Sequence, residues 1–223
     1  MTSVAAATVV VQCSSPEPTP VAPTAPSVSS TTRPPAEPDP ARPASIHPVT
    51  TAELGPTWRP GCPVPAERLR RIDLPYRGFD GRTHRGELVV DEALAADVVD
   101  VFGELYRQRF PIERMRTVDR YPGADDETSM RDNNTSAFNC RALPSGRWSL
   151  HALGRAIDVN PLLNPYVSAS VLQPATAGPY LDRRRTDPGL LHGDDPAVGA
   201  FLRRGWRWGG NWRAPKDYQH FER

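Results

Sequence analysis

The clearest periodic pattern in the chain lies between Asp91 and Tyr106. Apolar side chains recur there at spacings of three and four residues, the period of one helix face. They are Leu94, Val98, Val101, Phe102, Leu105 and Tyr106. Asp91 precedes them and is of a residue type that caps helix N-termini. The pattern therefore predicts an amphipathic helix whose apolar stripe lies in a core.

Shorter stretches of the chain predict strands. A strand is predicted over 86–90, before this helix, and another over 110–118, where apolar positions alternate. Further strands are predicted over 136–141 and 156–159, and a short helix over 196–204. Residues 161–195 are rich in Pro, Gly, Asp and Arg, and we expect a long connection that borders a cleft.

The first 60 residues have a different composition. They hold 13 of the 26 prolines, together with many Ser, Thr and Ala residues and few large apolar ones. Such a segment cannot bury enough apolar surface to offset the entropy of ordering it. We therefore predict a signal-like start and a disordered tether over 1–60, followed by one catalytic domain over 61–223.

The start of the chain carries a short apolar run, Val4 to Val11. The run is too short for a transmembrane helix and lacks the basic residues that open a signal peptide. An apolar start before a Pro/Thr-rich tether is nevertheless typical of an exported enzyme. We expect a secreted or cell-envelope protein, with Cys13 as a candidate site for a lipid anchor.

The cysteines bear on the compartment in which the protein acts, and the net charge bears on its binding partners. Within the predicted domain, Cys62 and Cys140 either form one disulfide, which would suit an oxidising compartment, or are two unrelated buried thiols. The formal net charge is +1. A nearly neutral chain provides no electrostatic case for binding nucleic acid.

Candidate metal ligands lie in two separate stretches. His151 and Asp158 are seven positions apart, and an imidazole with a carboxylate makes up two of the three protein ligands typical of a catalytic zinc site. Asp217 and His220 near the end of the chain offer the third. Residues an odd number apart face opposite sides of a regular strand, so a bend must separate the first pair, and Gly154 is the natural place for it.

At these residues the sequence resembles the zinc D-alanyl-D-alanine carboxypeptidases and L-alanyl-D-glutamate endopeptidases. The family pattern is Ser-x-His-x-x-Gly-x-Ala-x-Asp, followed much later by an acidic residue and a histidine three positions on. Every fixed position is present: Ser149, His151, Gly154, Ala156, Asp158, Asp217 and His220. The resemblance extends from about Cys62 to the C-terminus, and the family shares a fold with the hedgehog signalling domain.

The resemblance implies a fold and a set of roles. The fold is α+β, a small mostly antiparallel sheet with helices on one face and a zinc cleft on the other. His151, Asp158 and His220 would bind Zn²⁺, and Asp217 would be the general base. Many relatives carry glutamate at this last position, and aspartate is found in endopeptidase-like branches.

The resemblance also implies an arginine that binds the carboxylate or a peptide oxygen of the substrate, a task that suits the guanidinium fork. Arg141 is the first candidate and Arg131 the second, although the better-known branches carry this arginine further upstream. Ser149 is expected to bond the substrate or to orient a ligand. Trp208 would form an aromatic wall of the cleft or lie in the core beneath it.

The expected function is therefore that of a zinc metallopeptidase, a D-alanyl-D-alanine carboxypeptidase that acts as a monomer on peptidoglycan peptides. Two alternatives stay open. The first is an L-alanyl-D-glutamate endopeptidase of the same family, and the second is a noncatalytic zinc module that binds cell wall or a protein partner. Asp217 argues against the second, since a purely structural metal site needs no general base.

Overall fold

The computed structural model describes residues 42–143 and 145–223. The apolar start, Cys13 and the first 41 residues of the predicted tether lie outside the described residues. In the part of the chain that is described, no helix has the length and apolar character needed to cross a membrane.

The regular elements are short and are separated by turns. The helices are α1 (Thr51–Leu54), α2 (Ala95–Arg107), α3 (Asp126–Arg131) and α4 (Pro196–Leu202). The strands are β1 (Ser45–Pro48), β2 (Leu69–Arg77), β3 (Thr83–Asp91), β4 (Arg114–Met115), β5 (Asn134–Thr135), β6 (Ala156–Asp158), β7 (Tyr166–Val167), β8 (Leu172–Gln173), β9 (Arg207–Trp208), β10 (Lys216–Asp217) and β11 (His220–Glu222). Single 3-10 turns span Gly55–Thr57, Ala66–Arg68, Glu92–Leu94, Val118–Arg120, Pro122–Ala124, Leu150–Leu153, Gly178–Tyr180 and Gly209–Asn211.

The strands form small sheets that are mostly antiparallel. One sheet has the order β1–β2–β3, a second β6–β11–β9 and a third β10–β7–β8. Only β4 and β5 pair in parallel among the described strands. The predicted α+β class is confirmed, but the strands form several small sheets where we expected one.

The main core lies between α2, the β2–β3 hairpin, α4 and the β6–β11 pair. Most of the apolar stripe predicted for the helix is buried in it, whereas Tyr106 is half-buried. Asp91 caps the 3-10 turn Glu92–Leu94 that precedes α2, where its carboxylate accepts a hydrogen bond from Ala93 N at 3.0 Å. Ile157 and Phe221 turn into the same core, where the Phe221 ring stacks on Phe201 at 3.8 Å between ring centres. Because side chains alternate along a strand, Asp158 and His220 lie on the opposite face.

The folded unit begins earlier than the composition suggested. Ser45–Pro48 pairs antiparallel with β2, and Val49 and Leu54 are buried in a second apolar cluster with Leu69 and Val89. The boundary predicted at residue 60 therefore falls inside folded structure. Proline richness does not prevent folding here, because β1 is an edge strand and its proline is the last residue of the strand.

Two predicted strands are much shorter than expected. Within 110–118 only Arg114 and Met115 are in a strand, because side-chain amides take the neighbouring backbone donors: Asn160 binds Glu113 N and Asn134 binds Arg116 N. The stretch 136–141 is extended but bonds a different partner at nearly each residue. Its backbone partners are Asp158, Val89, His151 and Thr57.

Cys62 and Cys140 form a disulfide, with 5.9 Å between their Cα atoms. The bridge joins the segment before β2 to the extended stretch that leads to the 3-10 turn at His151. Of the two alternatives for these cysteines, the structure has the bridge.

Candidate metal centre

Three short elements bring the predicted ligands together. His151 lies on the 3-10 turn Leu150–Leu153, whose preceding residue Ser149 accepts a hydrogen bond from His151 N at 3.2 Å. The turn ends at Gly154, which has φ +67°, in the left-handed region that favours glycine. The predicted bend is therefore present, and Ser149 orients the histidine that it precedes.

Gly154 also allows a close approach between two segments. A Cβ atom at this position would lie 2.5 Å from Asp91 N, and the Gly154 carbonyl accepts a hydrogen bond from that same nitrogen at 2.9 Å. The turn that carries His151 is thus held against the end of β3, and the chain then enters β6 with Asp158.

The third ligand comes from β11, the central strand of its sheet. His220 lies directly opposite Asp158 in the antiparallel register between β11 and β6. His151 Nε2 lies 3.2 Å from His220 Nδ1 and 3.2 Å from Asp158 Oδ2, and His220 Nδ1 lies 3.0 Å from Asp158 Oδ1. All three side chains are buried and converge on one point.

This arrangement fits a zinc ion. With metal–ligand distances of about 2.0–2.1 Å, two ligands of a tetrahedral site lie about 3.3–3.4 Å apart. The observed separations of 3.0–3.2 Å are close to that edge length. Two imidazoles and one carboxylate are also a donor set that zinc accepts, with one coordination position left for water or substrate.

Each histidine has a hydrogen-bond acceptor at the ring nitrogen that faces away from the other predicted ligands. His151 Nδ1 lies 2.6 Å from the carbonyl oxygen of Ala137, so this nitrogen carries the proton and Nε2 faces the other ligands. His220 Nε2 lies 3.4 Å from Glu222 Oε2, which leaves Nδ1 toward the site. The sequence analysis did not assign a role to Glu222, although a His-x-Glu pair in a strand places both side chains on one face.

The two kinds of ligand influence each other's ionisation. Burial opposes the charged form of Asp158, but the charges and hydrogen bonds of His151 and His220 outweigh it and hold the pKa of that carboxyl far below its usual range. Burial alone would lower the pKa of His220, yet its bonds to Asp158 and Glu222 raise the pKa to about 10. Asp158 is thus ionised in this pocket and offers an anionic donor.

Asp217 lies on β10, opposite Tyr166 of β7. Its Oδ1 atom is buried and has no hydrogen-bond partner within the described chain. Burial raises the pKa of Asp217 to about 6, with the charge of His220 acting in the opposite direction. Gly209 packs closely against it, since a Cβ atom there would lie 2.8 Å from Asp217 Cβ.

The structure does not bring the predicted arginines into contact with the ligands. Arg141 forms an ion pair with Asp126. Arg131 is exposed on α3 and donates to Thr128 Oγ1 at 3.3 Å. Across residues 42–143 and 145–223, no hydrogen bond or ion pair joins either of them to His151, Asp158 or His220.

The aromatic residues divide between core and site. Trp208 is only 4% exposed, packs near Phe221 and donates from its indole nitrogen to Tyr218 O at 2.8 Å. This position places Trp208 in the core and does not support the expectation that it binds substrate. Trp212 lies beside the site instead, with its ring centre 5.5 Å from that of His220.

Two cationic residues, Arg213 and Lys216, are close in sequence to Asp217. Arg213 and Lys216 line a cavity of about 400 Å³ together with Tyr166 of β7. The Lys216 ammonium donates to Gly210 O at 3.0 Å, whereas the Arg213 side chain has no hydrogen bond or ion pair in the described part of the chain. Arg213 was not among the residues predicted from the sequence, since nothing local distinguishes it from the other arginines.

A comparison with known protein families matches the part of the chain that contains these residues. Residues 144–223 match the model of a family described as D-alanyl-D-alanine carboxypeptidase. The matched range contains all three proposed ligands and Asp217. No curated protein matches the chain, and no solved structure does.

Proposed function

We propose that the protein is a zinc-dependent peptidase that removes the terminal D-alanine from peptidoglycan stem peptides, since residues 144–223 match the model of a family described as D-alanyl-D-alanine carboxypeptidase. The observation that carries this proposal is the convergence of His151, Asp158 and His220 within 3.0–3.2 Å of one another. They are accompanied by Asp217, whose buried Oδ1 atom has no hydrogen-bond partner within residues 42–143 and 145–223.

The proposed roles follow from the chemistry of the donors. His151 Nε2, His220 Nδ1 and Asp158 would hold a zinc ion, and Ser149 and Ala137 fix the position of His151. The bound ion would supply Lewis-acid chemistry to the attacking water and the scissile carbonyl.

Asp217 would handle the proton. Its carboxylate takes a proton from the attacking water and returns it to the nitrogen of the leaving amine. The oxygen of the water forms a new bond to the carbonyl carbon, and the C–N bond breaks. A carboxyl whose pKa is raised to about 6 by burial is well suited to accept and release a proton near neutral pH.

Several features support an extracytoplasmic location. The Cys62–Cys140 disulfide suits an oxidising compartment. A peptidoglycan peptide would also be met outside the membrane. We propose secretion or association with the cell envelope on these grounds, with the protein acting as a monomer.

The test uses purified protein and defined muropeptides, with and without a chelator, and mass spectrometry of the products. Loss of one terminal D-alanine that the chelator abolishes is the expected result. An internal cut between L-alanine and D-glutamate would make the protein an endopeptidase of the same family. Stoichiometric zinc without any cleavage would contradict the peptidase proposal and favour a binding module.

A further inference from the structure

Glu222 occupies a special place beside the candidate metal centre. It is two residues after His220 on β11, so both side chains project from the same face of the strand. Its neighbours across the sheet are Ala156 on β6 and Arg207 on β9.

The two oxygens of Glu222 have different partners. Oε2 lies 3.4 Å from His220 Nε2, and Oε1 lies 2.7 Å from a guanidinium nitrogen of Arg207. The Glu222 side chain is 13% exposed, whereas that of Arg207 is 72% exposed. These contacts lead from the solvent to the site. Arg207 binds Glu222, and Glu222 contacts the imidazole of His220.

The two ligand histidines therefore differ in the acceptor at the ring nitrogen that faces away from the metal. His151 is backed by a neutral backbone carbonyl at 2.6 Å, and His220 by a carboxylate. A carboxylate that accepts the second N–H of a metal-bound imidazole fixes its tautomer and orientation and makes the metal-facing nitrogen a stronger donor. Because His220 and Glu222 lie on one strand, the strand geometry itself places the carboxylate beside the imidazole.

We propose that Glu222 is a positioning residue that holds His220 with Nδ1 directed at the metal, and that Arg207 in turn holds Glu222. The inference rests on the proposed zinc function. It adds a third carboxylate to Asp158 and Asp217, and this one contacts neither metal nor substrate. Its predicted consequence is a contribution to zinc affinity that a merely structural ion pair would not make.

The experiment measures zinc affinity of the full chain by competition with a chromophoric chelator. Glu222→Ala is expected to weaken zinc binding by about 10-fold to 100-fold, the usual effect of losing such a partner. Glu222→Gln keeps the shape and one acceptor oxygen but removes the charge, so we expect an affinity between those of the wild type and the alanine variant. Arg207→Ala should weaken binding less, because the contact between Glu222 and His220 remains.

A matched control separates this role from simple loss of an ion pair. Glu104 is also a partly buried carboxylate paired with arginines, Arg203 and Arg204, but it lies on α2. Glu104→Gln is expected to leave zinc affinity unchanged. Thermal unfolding of each metal-free variant shows that it is folded, and Glu222→Gln serves if Glu222→Ala is not.

A spectroscopic measurement gives an independent check. In the zinc-loaded wild type, the His220 Nε2–H proton should give a downfield resonance protected from exchange by Glu222. The alanine variant should lose it. Unchanged zinc affinity in both Glu222 variants, with the resonance retained, would overturn the inference alone, whereas a wild-type protein that binds no zinc would overturn the proposed function as well.

Discussion

The surroundings of Asp158, which is buried, and of Asp217, which is half-buried with a buried Oδ1 atom, shift the pKa values of the two carboxyls in opposite directions. Burial disfavours the ionised form of each. At Asp158 the two histidines outweigh burial, and the pKa falls far below its usual range. At Asp217 burial dominates and the pKa rises to about 6. Neighbouring carboxylates with separated pKa values suit different tasks, which agrees with the proposed roles of metal binding for Asp158 and proton transfer for Asp217.

This difference leads to a prediction for Asp217. Asp217→Asn should keep one zinc per chain and lower turnover by about 100-fold to 10,000-fold, because it removes the general base and leaves the ligands in place. Metal content measured by elemental analysis, with kcat on a muropeptide, checks both parts.

Two companion variants make that result interpretable. His151→Ala should lose stoichiometric zinc and activity together, since it removes a ligand. Asp194→Asn changes an exposed aspartate and should alter neither. An Asp217→Asn protein with wild-type turnover would remove Asp217 from the mechanism.

The choice of substrate-binding arginine is a second question at this scale. Arg141 forms an ion pair with Asp126, and Arg131 is exposed. Arg213 lines the cavity beside β10 and forms no hydrogen bond or ion pair with any residue that the structure describes. Removing a guanidinium that binds the substrate's terminal carboxylate should raise KM for a free peptide and not for its C-terminal amide. We expect Arg213→Ala to show this pattern and Arg131→Ala to show none.

Arg141→Ala is the informative comparison. If Arg141 binds substrate, its variant should give the same selective rise in KM as described for Arg213. If it serves only as the partner of Asp126, it should lower Tm and change KM equally for the free peptide and the amide.

At the scale of elements, the site depends on how one short turn is held. The 3-10 turn Leu150–Leu153 contains only one turn of chain, so it has little stability of its own. It is fixed by Ser149 at its start, by the Ala137 carbonyl on the His151 ring and by the contact between Gly154 and Asp91. Tertiary contacts therefore position His151.

Gly154→Ala tests this account. The variant combines a positive φ with a Cβ that would meet backbone at 2.5 Å, and strain of this kind costs about 1–3 kcal/mol before the clash is added. We expect a lower Tm together with weaker zinc binding, because the turn must move and carries His151 with it.

Gly81→Ala is the matched control for that variant. Gly81 has φ +72°, but a Cβ there would have nothing within 4 Å. It should cost roughly 1–2 kcal/mol from the left-handed backbone alone and leave zinc affinity unchanged. Equal zinc affinity in the two variants would contradict the proposed role of the turn.

At the scale of the whole described chain, residues before the family match complete the fold. The matched range begins at residue 144, but α2, the β2–β3 hairpin and the second apolar cluster come from residues 45–140. The disulfide links Cys62 to Cys140 within this part. The elements that carry the candidate metal centre thus pack on a scaffold that lies outside the matched range.

A truncation series tests where the folded unit begins. A protein starting at Arg42 should match the full chain in Tm and activity. One starting at Cys62 loses β1 and the buried side chains of Val49 and Leu54, which contribute about 1.5–3 kcal/mol each. It should unfold at a clearly lower temperature. Equal Tm values for the two truncated proteins would restore the boundary predicted at residue 60.

The sequence alone determined those features that depend on local patterns. The apolar period predicted α2, because that period follows from helix geometry within a few residues, whereas Asp91 caps the 3-10 turn Glu92–Leu94 before α2 and not α2 itself. The odd spacing between His151 and Asp158 required a bend, and Gly154 supplies it with a positive φ. The family resemblance was visible from seven fixed residues, and the family match over residues 144–223 confirms it.

Only the tertiary structure decided which side chains meet. Register between β6 and β11 sets His220 opposite Asp158, and the ion pair with Asp126 determines what Arg141 contacts. The burial that places Trp208 in the core and raises the pKa of Asp217 comes from elements distant in sequence. Such contacts join segments tens of residues apart, and a local pattern carries no information about its partner across the fold.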